Sequence, residues 1–446
     1  MLPVYQNDDK KSFAYVSLHK RWPVLIGQAV NDIRIETSQL PDGPKKDEAE
    51  SIITQMEAVQ NSVAQNLPIE PITADVYDKD EYNKFVFKPN STETYKWSER
   101  GWLDCECLIY RKLQIVVESS KHWRGYDYFA RMKNDTFVKS SSAVSTLANR
   151  YHKIYNEFKS KESEVSPEAL KIVTHELLQT CLWGNATDLS LLVTVSMEEL
   201  RALQVSAAAR EKESVLDNDF EDVWKQLNSE KGGRVDIILD NSGFELYTDL
   251  VFTLFLLDSG LAEQVVLHPK TLPWMISDVL PTDLPTIIGM LTDPSSFPDS
   301  REDLDFIAGK LHQYLNDGQL LLRTSPFWVT SVPYWEIKPN GILGGDAIYR
   351  DLRCSKLAIF KGDLNYRKLT GDCVWPYDTP FRTAIKDLAT TGIPVLALRT
   401  VKADVIVGLE PGRGEQLDKE WKENHPDDEP HAWAWGGKYA VVSFNK

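Results

Sequence analysis

Cysteine is scarce, with five residues in a chain of 446, at positions 105, 107, 181, 354 and 373. So odd and sparse a count excludes a disulfide scaffold. With no apolar leader in the first thirteen residues, it points to free thiols in the cytosol, with the nucleus also open. Long apolar runs are missing too. The longest, residues 250–257, is interrupted by Thr253 and closed by Asp258. A bilayer helix needs ~20 apolar residues, so no membrane partner is expected. Basic charge is in deficit, 50 Lys and Arg against 66 Asp and Glu, for a formal net charge of −16. That balance repels phosphate backbones and excludes broad nucleic-acid binding. Several site signatures are absent: no G-x-G-x-x-G after a strand, no P-loop string, no H-E-x-x-H, no G-x-S-x-G and no paired Cys-x-Cys. Nothing in the sequence calls for an obligate protein partner.

What remains is ordinary globular composition, 42% hydrophobic and 26% charged. At roughly 150 residues per domain, the length suits two or three domains. The first half reads as helical over residues 43–65, 144–162 and 167–183, the last opened by Ser166-Pro167. The second half changes period. Short apolar runs at 235–241, 264–270, 319–324, 357–363, 394–402 and 439–444 are separated by helix-length segments such as 245–259 and 304–316. Non-alternating apolar strands with crossover helices predict a mostly parallel sheet covered on both faces. The predicted architecture is therefore α/β: a mainly helical N-terminal domain over 1–190, then an α/β/α domain over 191–446. The boundary falls within 185–233.

Ligands of open parallel sheets bind beyond the strand carboxyl ends, so the polar residues there carry the most information. The first run ends in Asp240-Asn241-Ser242-Gly243, with Glu245 at a helix start. Asp and Asn supply hard oxygen ligands for a divalent cation, although a helix-capping turn leaves the same string. Asp278, soon after the second run, would add a third oxygen. His268 at a strand end is more simply a hydrogen-bonded histidine than a base. The fourth run empties into Lys361-Gly362-Asp363-Leu364-Asn365-Tyr366-Arg367-Lys368, read as a polar loop. Arg and Lys there would grip a phosphoryl group, while Asp363 and Asn365 would bond sugar hydroxyls. The fifth run ends in Arg399-Thr400-Val401-Lys402. Alternation separates Arg399 from Thr400 and Lys402, and Lys402 is the better anion ligand, a lysine lying along the sheet being the alternative.

These strings together resemble the metal-dependent damage-control phosphatase family, long carried as a domain of unknown function. The similarity is to its eukaryotic subgroup acting on sugar phosphates, marked by an Arg-Thr-x-Lys motif. It rests on CLWGNATDLS at 181–190, LDNSGFE at 239–245, FKGDLNYRK at 360–368 and RTVK at 399–402, supported by Arg21-Trp22-Pro23 and residues 102–110. The resemblance implies a helical domain packed on a Rossmann-like one and an ion that is Mn²⁺, Co²⁺, Ni²⁺ or Mg²⁺. It implies Asp240, Asn241 and Asp278 as metal ligands and Asp240, Asn241 and Lys402 as catalytic residues. Substrate would be held by Asp240, Asn241, Glu245, Asp363, Leu364, Asn365, Tyr366, Arg367 and Lys402. The implied substrates are reactive sugar phosphates such as fructose 1-phosphate and fructose 6-phosphate. Asp240 would be either a ligand and base for water or a nucleophile forming an aspartyl phosphate, and both stay open. The competing function is a protein-glutamate carboxyl O-methyltransferase using S-adenosylmethionine, a cofactor for which the first strand lacks a Gly-rich loop.

Overall fold

The computed structural model describes residues 2–160, 166–184 and 213–446. Up to residue 183 the described chain is helical, with no strand before Val215. The expected helices appear as Pro44–Ala64, Ser141–Ser160 and Pro167–Trp183, the last capped by the Ser166 hydroxyl accepting from the Ala169 amide. Helices Trp22–Ser38, Pro44–Ala64 and Trp102–Glu118 enclose one core, with Trp22, Met56, Trp97, Trp102 and Leu108 at its centre. The motif residues 185–190, and most of the segment expected to hold the domain boundary, lie outside the described residues.

Seven strands follow: β1 (Val215–Asn218), β2 (Arg234–Ile238), β3 (Gln264–His268), β4 (Leu320–Leu322), β5 (Ser355–Lys361), β6 (Val395–Thr400) and β7 (Ala440–Asn445). Six overlap the runs read from the sequence. The seventh, β1, is only four residues long and half polar, which hides it from any periodicity test. The sheet order is β1-β7-β6-β5-β2-β3-β4, with β2 to β6 mutually parallel. Strand β7 runs antiparallel to β6 and carries β1 with it, so the sheet is mostly parallel with one reversal near an edge.

Alternate strand residues feed two different cores, as a sheet covered on both faces requires. Val235, Ile237, Val265, Leu267 and Ile359 pack under helix Phe244–Asp258 and helices Ser141–Ser160, Pro167–Trp183 and Arg301–Asn316. Ile238, Ala358, Phe360, Val395 and Val441 pack against Trp328, Tyr334, Tyr366 and Leu417 on the other face.

The helical core is fastened to the sheet domain through Arg367. Its Nε and Nη2 each lie 3.0 Å from Asp372, its Nη1 lies 2.7 Å from Glu106, and its Cζ sits 3.6 Å above the Trp102 ring. Trp22 Nε1 donates to the other oxygen of Glu106 at 3.2 Å. All five residues are buried. Removing the cation would strand two buried carboxylates, so Arg367→Met is expected to lower unfolding stability by about 3–5 kcal/mol in denaturant titrations. A change below about 1 kcal/mol would contradict this role.

Candidate active site

Strand β2 connects to β3 and then β4 on one side, and the chain returns to place β5 and β6 on the other. The order of connection therefore reverses between β2 and β5, which opens a crevice beyond their carboxyl ends. Asp240 and Asn241 follow β2 into that crevice, and Gly362 and Asp363 follow β5. Gly362 has φ +81°, and a Cβ there would fall 1.8 Å from Asp240 Oδ2. Only glycine permits so close an approach at that φ.

Asn241 pairs with Asp278 in an isolated antiparallel bridge, while Ser242 N–H donates to Ser277 O at 2.7 Å. Met275 and Ile276, just before this bridge, have φ of +43° and +73°. Left-handed backbone at a β-branched residue is strained, and it is held here by the packed neighbours that place Asp278. Gly243, at φ +70°, turns the chain into helix Phe244–Asp258, whose first turn carries Glu245. The Asn241 amide donates to Asp240 Oδ2 at 2.7 Å and to Glu245 Oε2 at 2.8 Å. Asp240, Asn241, Glu245 and Asp278, which the sequence spreads over 39 positions, thus meet at one place.

Four carboxylates are buried in this crevice, those of Asp240, Glu245, Asp249 and Asp278, against the buried ammonium groups of Lys270 and Lys361. Lys361 Nζ bonds Asp249 at 2.8 Å, Cys181 O at 2.9 Å and Glu245 at 3.3 Å. Lys270 Nζ bonds Leu239 O at 2.8 Å and lies 3.5 Å from Asp278 Oδ2. Burial and the charges of Glu245 and Asp278 push the Asp240 carboxyl well above its usual range. Burial likewise raises Asp278 to about 7 and Asp249 to about 6. Among the described residues, Asp278 Oδ2 has no hydrogen-bond donor. A buried oxygen that accepts no hydrogen bond, among mutually repelling carboxylates, fits a divalent cation held by oxygen ligands.

The segment after β5 departs from expectation. It is a buried helix, Gly362–Thr370, rather than a polar loop. Asn365 does not face a sugar: its amide donates to Ile238 O, Leu239 O and Lys361 O while its oxygen accepts from Tyr334, which ties the helix to the end of β2. Tyr366 is buried against Val407 and under Arg399, and Leu364 belongs to the helical core. Arg367 is consumed by the junction described above. Lys368 donates to Trp328 O and Thr330 O, and burial lowers it to about 7. None of these side chains is free to grip a phosphoryl group. Asp363 is different, since Oδ1 accepts from Arg399 Nε at 2.8 Å and from the Lys402 amide at 3.0 Å, which leaves Oδ2 open. Lys402 lies two residues past β6 rather than on it, half-buried, with no partner for its ammonium among the described residues.

A second ligand-like group, Asp236, His268 and Asp351, has its donor atoms within 4.8 Å of one another. His268 Nε2 lies 2.8 Å from Asp236, the plain hydrogen bond expected of it. Arg234 pairs with both carboxylates, 2.7 Å from Asp236 and 3.0 Å from Asp351, and already supplies this group with a cation.

Residues 17–417 match the damage-control phosphatase ARMT1-like domain. The chain belongs to that family. It is 31% identical over 456 residues to the damage-control phosphatase ARMT1 of Xenopus tropicalis, covering 97% of this chain and 96% of that protein. Against the same-named proteins of Bos taurus and Homo sapiens the identities are 31% and 30%, each covering 98% of this chain and 97% of theirs. A crystal structure of a DUF89 family protein from Pyrococcus horikoshii aligns over 95% of this chain and 96% of its own, at a TM-score of 0.40 and 13% identity. As a family member the protein is a phosphatase, an enzyme of the phosphoric monoester hydrolase class.

The contact between Gly362 and Asp240 gives a test of the site. Gly362→Ala should cost about 1–2 kcal/mol of stability through backbone strain. By displacing Asp240 it should also lower phosphate release on the order of 100-fold. Gly260→Ala is the control, with φ +71° and nothing within 4 Å of the added Cβ. It should lose similar stability and keep full activity.

Proposed function

We propose that this phosphatase hydrolyses small sugar phosphates, fructose 1-phosphate and fructose 6-phosphate among them, at the crevice between β2 and β5. The observation that carries the proposal is the excess of buried carboxylate at the switch point, with Asp278 Oδ2 accepting no hydrogen bond and the Lys402 ammonium unengaged among the described residues. Asp240, Asn241 and Asp278 are the residues suited to hold the cation, which by its oxygen donors is Mg²⁺, Mn²⁺ or a similar ion such as Co²⁺ or Ni²⁺. When bound, such an ion supplies charge stabilisation on the phosphoryl oxygens.

The chain's own residues divide the remaining work. Lys402 neutralises a second phosphoryl oxygen as charge builds on the leaving group. Its loop is fixed by the Asp363 carboxylate, whose free Oδ2 is placed to accept from a sugar hydroxyl. The first turn of helix Gly362–Thr370 presents the Asp363 and Leu364 amides, the groups a helix start leaves without intrahelical acceptors and directs at anions. Substrate contact along 363–367 therefore runs through backbone amides and Asp363, while the side chains of Leu364, Asn365, Tyr366 and Arg367 hold the helix in place. Glu245 keeps the Asn241 amide aligned and stands ready to accept a proton from an attacking water.

The test is phosphate release from a panel of sugar phosphates, using protein stripped by chelator and resupplied with single divalent metals. Ketose phosphates should be cleaved only after metal is restored. Asp240→Asn should lower turnover on the order of 10³-fold or more. The same substitution should leave the metal-free protein as stable as before or more so, since it removes one of several repelling carboxylates. No release with any metal would overturn the sugar-phosphate reading, and consumption of S-adenosylmethionine with glutamate methylation would replace it.

A further inference from the structure

The cations around the crevice separate into two kinds. Lys270, Lys361, Arg367, Lys368 and Arg399 are each buried, with their donors committed to carboxylates or backbone carbonyls. They hold the fold and have no capacity left for an incoming anion. Lys402 is one exception. The other comes from the helical half, from a residue whose charge the reading above does not use.

Arg21 makes no ion pair among the described residues. Its Nη1 touches only the Ser17 hydroxyl, at 3.2 Å, and its Cζ lies 4.8 Å from the Phe13 ring centroid. It closes a single π-helical turn, Ser17–Arg21, between two α-helical stretches, with the Trp22 amide bonding Ser17 O. Such turns cost hydrogen-bond quality and occur frequently at functional sites. The segment is anchored at the crevice: Phe13 N–H donates to Asp404 Oδ2 at 3.0 Å, two residues beyond Lys402, and the Phe13 ring stacks on Trp435 at 5.2 Å. The next residue, Trp22, bonds Glu106, the partner of Arg367. Tyr110 is a buried ring whose hydroxyl is within electrostatic reach of both Arg21 and Asp278.

We infer that Arg21 is a second anion ligand of the site, reaching from the helical half to take the substrate phosphoryl group with its bidentate fork, opposite Lys402. The inference rests on the phosphate-ester reading of the crevice and deepens it. A phosphate monoester carries nearly two negative charges into an acidic protein, and a guanidinium with unspent donors matches that group in charge and geometry. Among the described residues, Arg21 remains free to do this, whereas Arg367, to which the sequence assigned substrate binding, is already bound.

The experiment compares wild type, Arg21→Met and Arg21→Lys as full-length chains loaded with the same metal. Michaelis constants are measured for a ketose phosphate and for p-nitrophenyl phosphate, together with the inhibition constant of inorganic phosphate. Arg21→Met should raise all three by about 10-fold to 100-fold, the effect of losing charged hydrogen bonds, and Arg21→Lys should recover part of this. Unchanged constants in both variants would overturn the assignment. So would a rise confined to the sugar ester with phosphate inhibition intact. If Arg21→Met does not fold, Arg21→Lys carries the test, because a point charge in place of the fork should still raise the phosphate inhibition constant several-fold. Should wild type cleave neither ester, the phosphatase reading of the crevice fails. Calorimetric binding of inorganic phosphate to wild type and Arg21→Lys then judges Arg21 separately, equal affinities counting against it.

Discussion

Four carboxylates buried against two ammonium groups leave an excess of negative charge that the crevice must be built to hold. Isolated, such groups would take up protons or draw water in, because desolvation penalises each charge and each repels the next. Here the Asn241 amide is wedged between Asp240 and Glu245, Lys361 spans Glu245 and Asp249, and Lys270 leans on Asp278. The backbone beside these contacts is unusual: φ lies above zero at Gly243 and Gly362, and at Met275 and Ile276, where it is strained. The strain and the charge sit in the same few residues, the pattern of a pre-organised site rather than of a region optimised for stability.

The open sheet makes that arrangement affordable. Strands β2, β3 and β5 are buried on both faces, so their carboxyl ends are fixed relative to one another before any polar residue is added. A rigid frame lets Asp240, Asp278 and Asp363 arrive from three separate connections at the same end of the sheet.

What could be read from the sequence follows from this division. Apolar runs of six to nine residues mark six strands, and the oxygen-bearing residues at or soon after their ends, Asp240, Asn241, Asp278 and Asp363, are visible because strand ends are local features. Residues 362–370 were misleading for the opposite reason. Five polar side chains in seven positions suggest an exposed loop, yet each is neutralised by a partner far away in sequence, such as Glu106 for Arg367, Tyr334 for Asn365 and the Trp328 carbonyl for Lys368. Local composition cannot report partners separated by 31 to 261 positions. Strand β1 is lost by brevity, and the availability of Arg21 is invisible until the other cations are seen to be occupied.

That occupancy also explains how a chain of net charge −16 can receive an anion. Surface charges beyond about 8–10 Å are screened, so the overall sign matters less than the few groups facing the crevice. Among those, buried cations balanced by carboxylates contribute little net field, because each pair acts as a dipole. The field that a substrate meets is set by charges with no internal partner. Lys402 sits on a loop pinned by Asp363, and that loop in turn holds the N-terminal segment through Asp404 and Phe13. The helical half is therefore more than a cover. Through Glu106 and Trp102 it grips Arg367, which orients helix Gly362–Thr370 and its leading amides. Through Phe13 it is tied to the loop that carries Lys402 and Asp404.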